Sequence, residues 1–244
     1  MCYNKNTRKN NSIEEGERKM KTIVIGDTHG CYKELKELVL SLEADGEYNR
    51  NTDKIIFLGD YIDRGEDSRL VIEFIRNMQE ESDNVIALMG NHENMLIDYL
   101  DGKDYSWLYN GCEETIESYK GFKKQFYDDI KWMRTLPVYH EDKHFVYVHA
   151  GVDVHKPLKK QSKNTLLWTR EEFIYNSKKY HKKVVFGHTP TFNLNKTDSP
   201  VYTITDNLGI DTGCVYGGAL TAAIIEDDEI KGFYQVDKEE VYNN

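Results

Sequence analysis

Five stretches of this 244-residue chain end an apolar run on residues able to hold metal ions. The run Thr22–Ile25 leads into Gly-Asp-Thr-His-Gly, which offers Asp27 and His29. Ile55, Ile56 and Phe57 lead into Gly-Asp-Tyr-Ile-Asp-Arg-Gly, which offers Asp60, Asp63 and Arg64. Gly-Asn-His-Glu-Asn then offers Asn91 and His92, Val-His-Ala-Gly offers His149, and Phe-Gly-His-Thr-Pro offers His188. Each stretch carries a glycine that lets the backbone turn sharply. Any one of them alone would be an ordinary turn or a structural histidine. Five together describe a site. Two divalent cations about 3.5–4 Å apart need a bridging carboxylate, terminal oxygen and nitrogen ligands, and open positions for water and substrate. Asp60, on the central loop, is the expected bridge. Asp27 and His29 complete one metal, and Asn91, His149 and His188 the other. With no cysteine among the ligands, manganese, iron or zinc is favoured over copper. Such a pair lowers the pKa of a shared water, so hydroxide is available near neutral pH.

These residues meet if they leave the carboxyl ends of neighbouring parallel strands, where open α/β sheets place their ligands. The order of elements allows it. Residues 22–25, 54–58 and 84–89 read as buried strands. Between them lie amphipathic helices, one carrying Leu35, Leu38, Val39 and Leu42 and another Leu70, Val71, Phe74, Ile75 and Met78; a third helix is expected over Asn91–Leu100. Helical sequence rich in tyrosine and tryptophan continues to about residue 136. Beyond it comes a hairpin turning at residues 141–143, then four more short strands in Lys-Lys-Val-Val-Phe-Gly-His, Val-Tyr-Thr-Ile-Thr-Asp, Gly-Ala-Leu-Thr-Ala-Ala-Ile-Ile-Glu-Asp-Asp and Glu-Ile-Lys-Gly-Phe-Tyr-Gln-Val-Asp, with few helices. The expectation is one α/β domain over residues 21–237, built on two packed sheets with helices outside.

Composition sets limits. Hydrophobic residues make up 39% and charged residues 30%, as in a globular protein. No segment resembles a signal peptide or a membrane span, and the scattered Cys2, Cys31, Cys112 and Cys214 form no Cys-x-x-Cys pair. That disfavours a zinc knuckle or disulfide framework and fits a cytoplasmic protein. A formal net charge of −10 disfavours a general nucleic-acid binder. Residues 1–20 lack apolar content and periodicity and are expected to be a disordered tail. Residues 15–19 can be encoded by purine-only codons resembling a ribosome-binding site ahead of Met20. A genuine polar extension is the other reading, and both stay open.

Taken in order, the five motifs resemble the signature of the phosphoprotein phosphatase family within the calcineurin-like metallophosphoesterases. Leu-Leu-Trp-Thr-Arg-Glu and Asp-Thr-Gly-Cys-Val-Tyr-Gly-Gly are similar to its compact bacterial and bacteriophage lambda-type members. The resemblance implies a four-layer αββα sandwich of two mixed sheets flanked by helices, with a dinuclear centre between the sheets and manganese as the expected metal. It makes His92 the general acid that protonates a leaving alkoxide, with Asp63 holding it oriented and protonated. Arg64 and Arg170 are then the phosphate clamps, Glu93 fixes its loop, and Tyr216 lies near the site. Cys31 and Cys214 read as packed thiols. His140, His144, His155 and His181 read as surface residues, and Trp107, Trp132 and Trp168 as core or pocket wall.

The expected activity is phosphomonoester hydrolysis by in-line attack of that hydroxide, as a serine/threonine protein phosphatase acting on a phosphoprotein or small phosphate ester, without nucleic-acid or membrane partners. A symmetrical diadenosine tetraphosphate hydrolase shares the motifs and is the alternative. The acids at 113, 114, 128 and 129, beside Lys123 and Lys124 in the stretch where a nucleotide-binding cap would lie, weigh mildly against it. A non-catalytic scaffold is disfavoured because every ligand, His92, Asp63 and Arg64 are present.

Overall fold

A computed structural model describes residues 19–196, 199–203 and 205–238. Of the expected tail, residues 1–18 lie outside the described residues; Lys19 and Met20 are exposed. Among the described residues, no helix is long and apolar enough to cross a membrane.

β1 (Thr22–Ile25), β2 (Lys54–Phe57) and β3 (Val85–Ala87) are rich in β-branched residues, which pack well on a pleated surface, and they pair in parallel. The crossovers are α1 (Tyr32–Ala44) and α2 (Ser68–Glu81), and α3 (Asn91–Leu100) follows β3. Two strands from the far end of the chain complete this sheet. β9 (Ala219–Glu226) pairs antiparallel with β1, and β10 (Glu229–Asp237) with β9, giving the order β10-β9-β1-β2-β3. The second sheet runs β4-β5-β6-β8-β7, from β4 (Tyr139–Glu141), β5 (Phe145–Val148), β6 (Lys183–Phe186), β7 (Val201–Tyr202) and β8 (Leu208–Gly209). It too is mixed: β5, β6 and β8 are parallel, and β4 and β7 are antiparallel edges.

Side chains alternate faces along a strand, and this alternation builds the layers. Ile23 and Ile25 pack under α1 and α2 with Leu35, Leu38, Val71 and Ile75. Val24, between them, points the other way and joins Ile56, Phe145, Tyr147, Val185 and Ile210 in the layer between the sheets. On the second sheet Val146, Val148, Val184 and Phe186 face outward to Leu158, Leu166 and Phe173. Three apolar layers separate four layers of structure, and the two-sheet sandwich holds.

Some local expectations shift. The buried face of α2 is Ser68, Val71, Ile72, Ile75 and Met78, with Leu70 and Phe74 half-buried at its flank. β3 is shorter than residues 84–89, and Glu141 belongs to β4 rather than to the turn. In Val-Tyr-Thr-Ile-Thr-Asp the strand is Val201–Tyr202, which pairs with β8, and β8 rather than this strand lies beside β6. A 3-10 turn (Ser106–Tyr109), α4 (Cys112–Ser118) and α5 (Lys123–Met133) pack Trp107, Cys112, Ile130 and Met133 into the core of the first sheet. His155 and His181 are exposed, but His140 and His144 are half-buried; the His140 ring stacks on Tyr147 at 5.9 Å. Cys31 and Cys214 are buried thiols.

Candidate dinuclear metal centre

The carboxyl ends of β1, β2, β3, β5 and β6 converge, and Asp60 lies at the convergence, 2% exposed. Its Oδ2 is 3.3 Å from His29 Nε2 and 4.0 Å from His92 Nε2, and its Oδ1 is 3.4 Å from His149 Nε2. One carboxylate oxygen thus faces each half of the site. Ligand atoms of Asp60, His149 and His188 lie within 4.8 Å of one another, as do those of Asp60, His29 and His92.

Several ring nitrogens have only one reading. His149 Nδ1 donates to the Leu58 carbonyl at 3.0 Å, which leaves Nε2 bare. That bare nitrogen is 2.8 Å from Asn91 Oδ1 and 3.2 Å from His188 Nδ1. Burial lowers the pKa of His149 to about 4, so a proton does not fill the gap near neutral pH. His29 Nδ1 likewise donates to the Ile62 carbonyl at 2.9 Å and turns Nε2 into the site. Asp27 Oδ2 accepts from the His188 amide at 2.9 Å, while Asp27 Oδ1 and His188 Nε2 are buried without a hydrogen-bond partner. Asp27 Oδ1 is left without a donor, and the bare His149 Nε2 faces the acceptor Asn91 Oδ1; buried acceptors so placed are costly, and divalent cations remove that cost. The residues therefore fit a metal pair, with Asp60 able to touch both ions.

The acids report the same crowding. The pKa of Asp27 is raised well above the carboxylate range, by burial first and then by Asp211 and Asp60. Asp211 is pushed up to about 6, chiefly by burial. Asp211 lies outside the five motifs, although Ile-Asp-Thr-Gly follows β8 much as the first two motifs follow β1 and β2. For Asp60, burial acts upward, but His149, His92 and His29 carry it well below the usual range.

The loops are held under strain. His29, Asp60, Asp63, Arg64 and His188 all have positive φ, between 40° and 72°, a region uncommon for non-glycine residues. Such conformations persist where the surroundings over-determine them. Glu93 supplies much of that determination: its carboxylate accepts from the amides of Asp60, Tyr61, Ile62 and Gly90 at 2.8–3.3 Å. A Cβ at Gly90 would collide with Asp60 Oδ1, and one at Gly187 with Asp27 Oδ1. Both glycines make room for the carboxylates.

His92 stands beside the ligands, its Nδ1 donating to Asp63 Oδ2 at 2.7 Å. Burial lowers its pKa against the pull of Asp60 and Asp63. Asp63 holds the ring through Nδ1. It is itself gripped by residues that the motifs do not contain. Trp107 Nε1 donates to both its oxygens at 3.0 Å, and Thr115 Oγ1 to Oδ1 at 2.6 Å. Arg64 Nη1 donates to His29 Nε2 at 2.7 Å. Arg170, which is exposed, donates through Nη1 to the His188 carbonyl and to Thr189 Oγ1, both at 2.9 Å. Trp168 lies edge-on to His188 at 5.9 Å, on the rim rather than in the core, and Trp132 Nε1 donates to Gln79.

Comparison with known proteins bears on the chemistry. The family model described as calcineurin-like phosphoesterase matches residues 20–219. The chain is 32% identical over 228 residues to an asymmetrical bis(5'-nucleosyl)-tetraphosphatase PrpE of Oceanobacillus iheyensis, covering 83% of this chain and 88% of that one. It is 30% identical over 230 residues to the Bacillus subtilis protein of the same name, covering 81% and 88%. A crystal structure assigned provisionally to a diadenosine tetraphosphatase superposes with a TM-score of 0.65 at 18% identity, covering 92% of this chain and 96% of that one. These relatives overturn the expectation of a serine/threonine protein phosphatase, since they are named for a dinucleotide substrate. The symmetrical hydrolase weighed as the alternative is nearer in substrate, but differs from them in the bond that is cut.

Proposed function

The chain belongs to the calcineurin-like phosphoesterases, and on that premise we propose that it hydrolyses dinucleoside tetraphosphates asymmetrically, to a nucleoside monophosphate and a nucleoside triphosphate. It is a metal-dependent phosphoesterase; the substrate and the roles of individual residues are the proposal. The observation that carries it is the 32% identity, across 83% of the chain, to a relative named for that reaction. A metal pair held by Asp27, His29, Asp60, Asn91, His149 and His188 would supply Lewis-acid polarisation of a phosphoryl oxygen and an acidified water, with manganese the expected ion.

The chain's own side chains do the rest. Arg64 and Arg170 flank the ligand set and neutralise phosphoryl oxygens, for which the guanidinium fork is suited. Charge stabilisation of this kind counts most where water is excluded, and the ligands here are 0–5% exposed. His92 holds or moves a proton at Nε2, because Asp63 engages Nδ1. A nucleoside triphosphate is a far weaker base than an alkoxide, so the demand on His92 as an acid is smaller than in a phosphomonoesterase.

Incubating the manganese-loaded protein with a dinucleoside tetraphosphate and separating the products by ion exchange tests this reading. Equimolar mono- and triphosphate are expected. Two diphosphates would overturn the asymmetry, and inertness toward the dinucleotide would overturn the substrate class.

A further inference from the structure

A cleft of about 550 Å³ opens beside the ligand set, with Arg170, Tyr175, Thr189, Phe192 and Tyr216 in its wall. Its size falls within the range of small-molecule sites, about 300–1,000 Å³. A phosphoryl group alone needs none of that space. The wall also leaves aromatic surface in water: Tyr216 is 52% exposed and Tyr175 60%. Phe192 meets the Tyr216 ring edge-on, with centroids 5.8 Å apart and planes at 87°, and the Arg64 guanidinium lies 5.6 Å from the Tyr216 centroid. Exposed rings held in place next to arginines are the means by which proteins stack nucleobases and seat the attached phosphate.

The cleft is tied to the metal centre on two sides. Thr189 directly follows His188, and Arg170 donates to both residues. On the other side Arg64 joins the Tyr216 ring to His29. One residue separates the cleft from one ligand, and one guanidinium separates it from another.

We propose that this cleft is the nucleoside subsite, that Tyr216 and Phe192 hold the base, and that the phosphate attacked is the one joined to that same nucleoside. The inference rests on the dinucleotide reading above and explains its asymmetry. A nucleoside seated directly against the ligand set brings its own 5'-phosphate there, whereas a symmetrical cut requires the next phosphate along. The oxygen of water bonds to the nucleoside-linked phosphorus, and the bond from that phosphorus to its bridging oxygen breaks. That oxygen leaves with the electron pair on the nucleoside triphosphate, and the proton lost by water passes through His92 to solvent.

Three measurements test the assignment. Hydrolysis in ¹⁸O-labelled water should place the label in the monophosphate; label in the triphosphate would mean attack at the adjacent phosphorus and would overturn it. By calorimetry the protein should bind a nucleoside monophosphate more tightly than inorganic phosphate. Tyr216→Ala and Phe192→Ala should shrink that preference about 5–100-fold, the loss of one base-stacking contact, while Tyr216→Phe should retain it. In kinetics, the ratio of kcat/KM for the dinucleoside tetraphosphate to that for inorganic tripolyphosphate should fall in the two alanine variants. Absence of dinucleotide cleavage by the wild-type protein would remove the parent reading. Cleavage with binding preference and kinetic ratio unchanged in both alanine variants would remove the cleft alone.

Discussion

Replacing Thr115 by valine isolates the brace behind His92. Asp63 is fully buried, and its oxygens receive Thr115 Oγ1, Trp107 Nε1 and His92 Nδ1. Valine keeps the shape of threonine and deletes the hydroxyl that donates at 2.6 Å. Thr115 and Asp63 are both 0% exposed, so bulk water does not take its place. A hydrogen bond to a charged group contributes about 1.5–3 kcal/mol. In a protein of this size each kcal/mol corresponds to about 2–4 °C, so Thr115→Val should lower Tm by about 3–12 °C. The Asp63 amide also loses one acceptor, but Ser68 Oγ remains at 3.1 Å. Turnover should fall as well, because Asp63 orients His92. Metal content should not, because Thr115 touches none of the proposed ligands. The assays are calorimetric melting of the metal-loaded protein, elemental analysis and steady-state kinetics, with Thr115→Ser as the variant that keeps the hydroxyl. Wild-type melting and turnover in Thr115→Val would refute the brace, and loss of metal would place Thr115 in a different role.

Asp60→Asn and His92→Asn should fail differently: the first should lower metal content and activity together, the second should spare the metal and slow turnover, and elemental analysis beside kinetics separates them. Chelation should abolish hydrolysis and manganese should restore it, with about two ions bound per chain; recovery with zinc alone would correct the choice of metal. Arg64→Ala and Arg170→Ala should each weaken inhibition by inorganic phosphate about 10–100-fold at unchanged metal content, as expected for loss of a charge-assisted contact. The larger defect is expected at Arg64, and unchanged inhibition in Arg170→Ala would remove it from the site. Phe186→Ala, at a fully buried position on the second sheet, should lower unfolding stability by about 3–5 kcal/mol in urea titration.

The motif residues surround the metals and the phosphoryl group, and that chemistry is shared by phosphoproteins and dinucleotides alike. Acids at 113, 114, 128 and 129 weigh against a nucleotide-binding cap, but α4 and α5, which carry them, also send side chains into the first-sheet core and onto Asp63. What distinguishes one phosphate ester from another lies beyond the phosphorus, on side chains such as Phe192 and Tyr216 that no metal constrains.

The chain by itself determined the elements and the candidate ligand types. Metal chemistry dictates Asp, His and Asn at strand ends, and burial dictates the period of two in β1 and the helical period in α1, so both are written locally. Even there the local rule had limits, since the face of α2 turned to admit Ile72 in place of Leu70 and Phe74. Tertiary structure alone decided which distant residues meet. β9 and β10 join the first sheet across nearly 200 residues of sequence, β8 carries Asp211 to the metal centre, and Trp107 and Thr115 reach back to close on Asp63. Such contacts leave no periodic trace, because a buried carboxylate needs donors of suitable geometry and is indifferent to how far along the chain they arise.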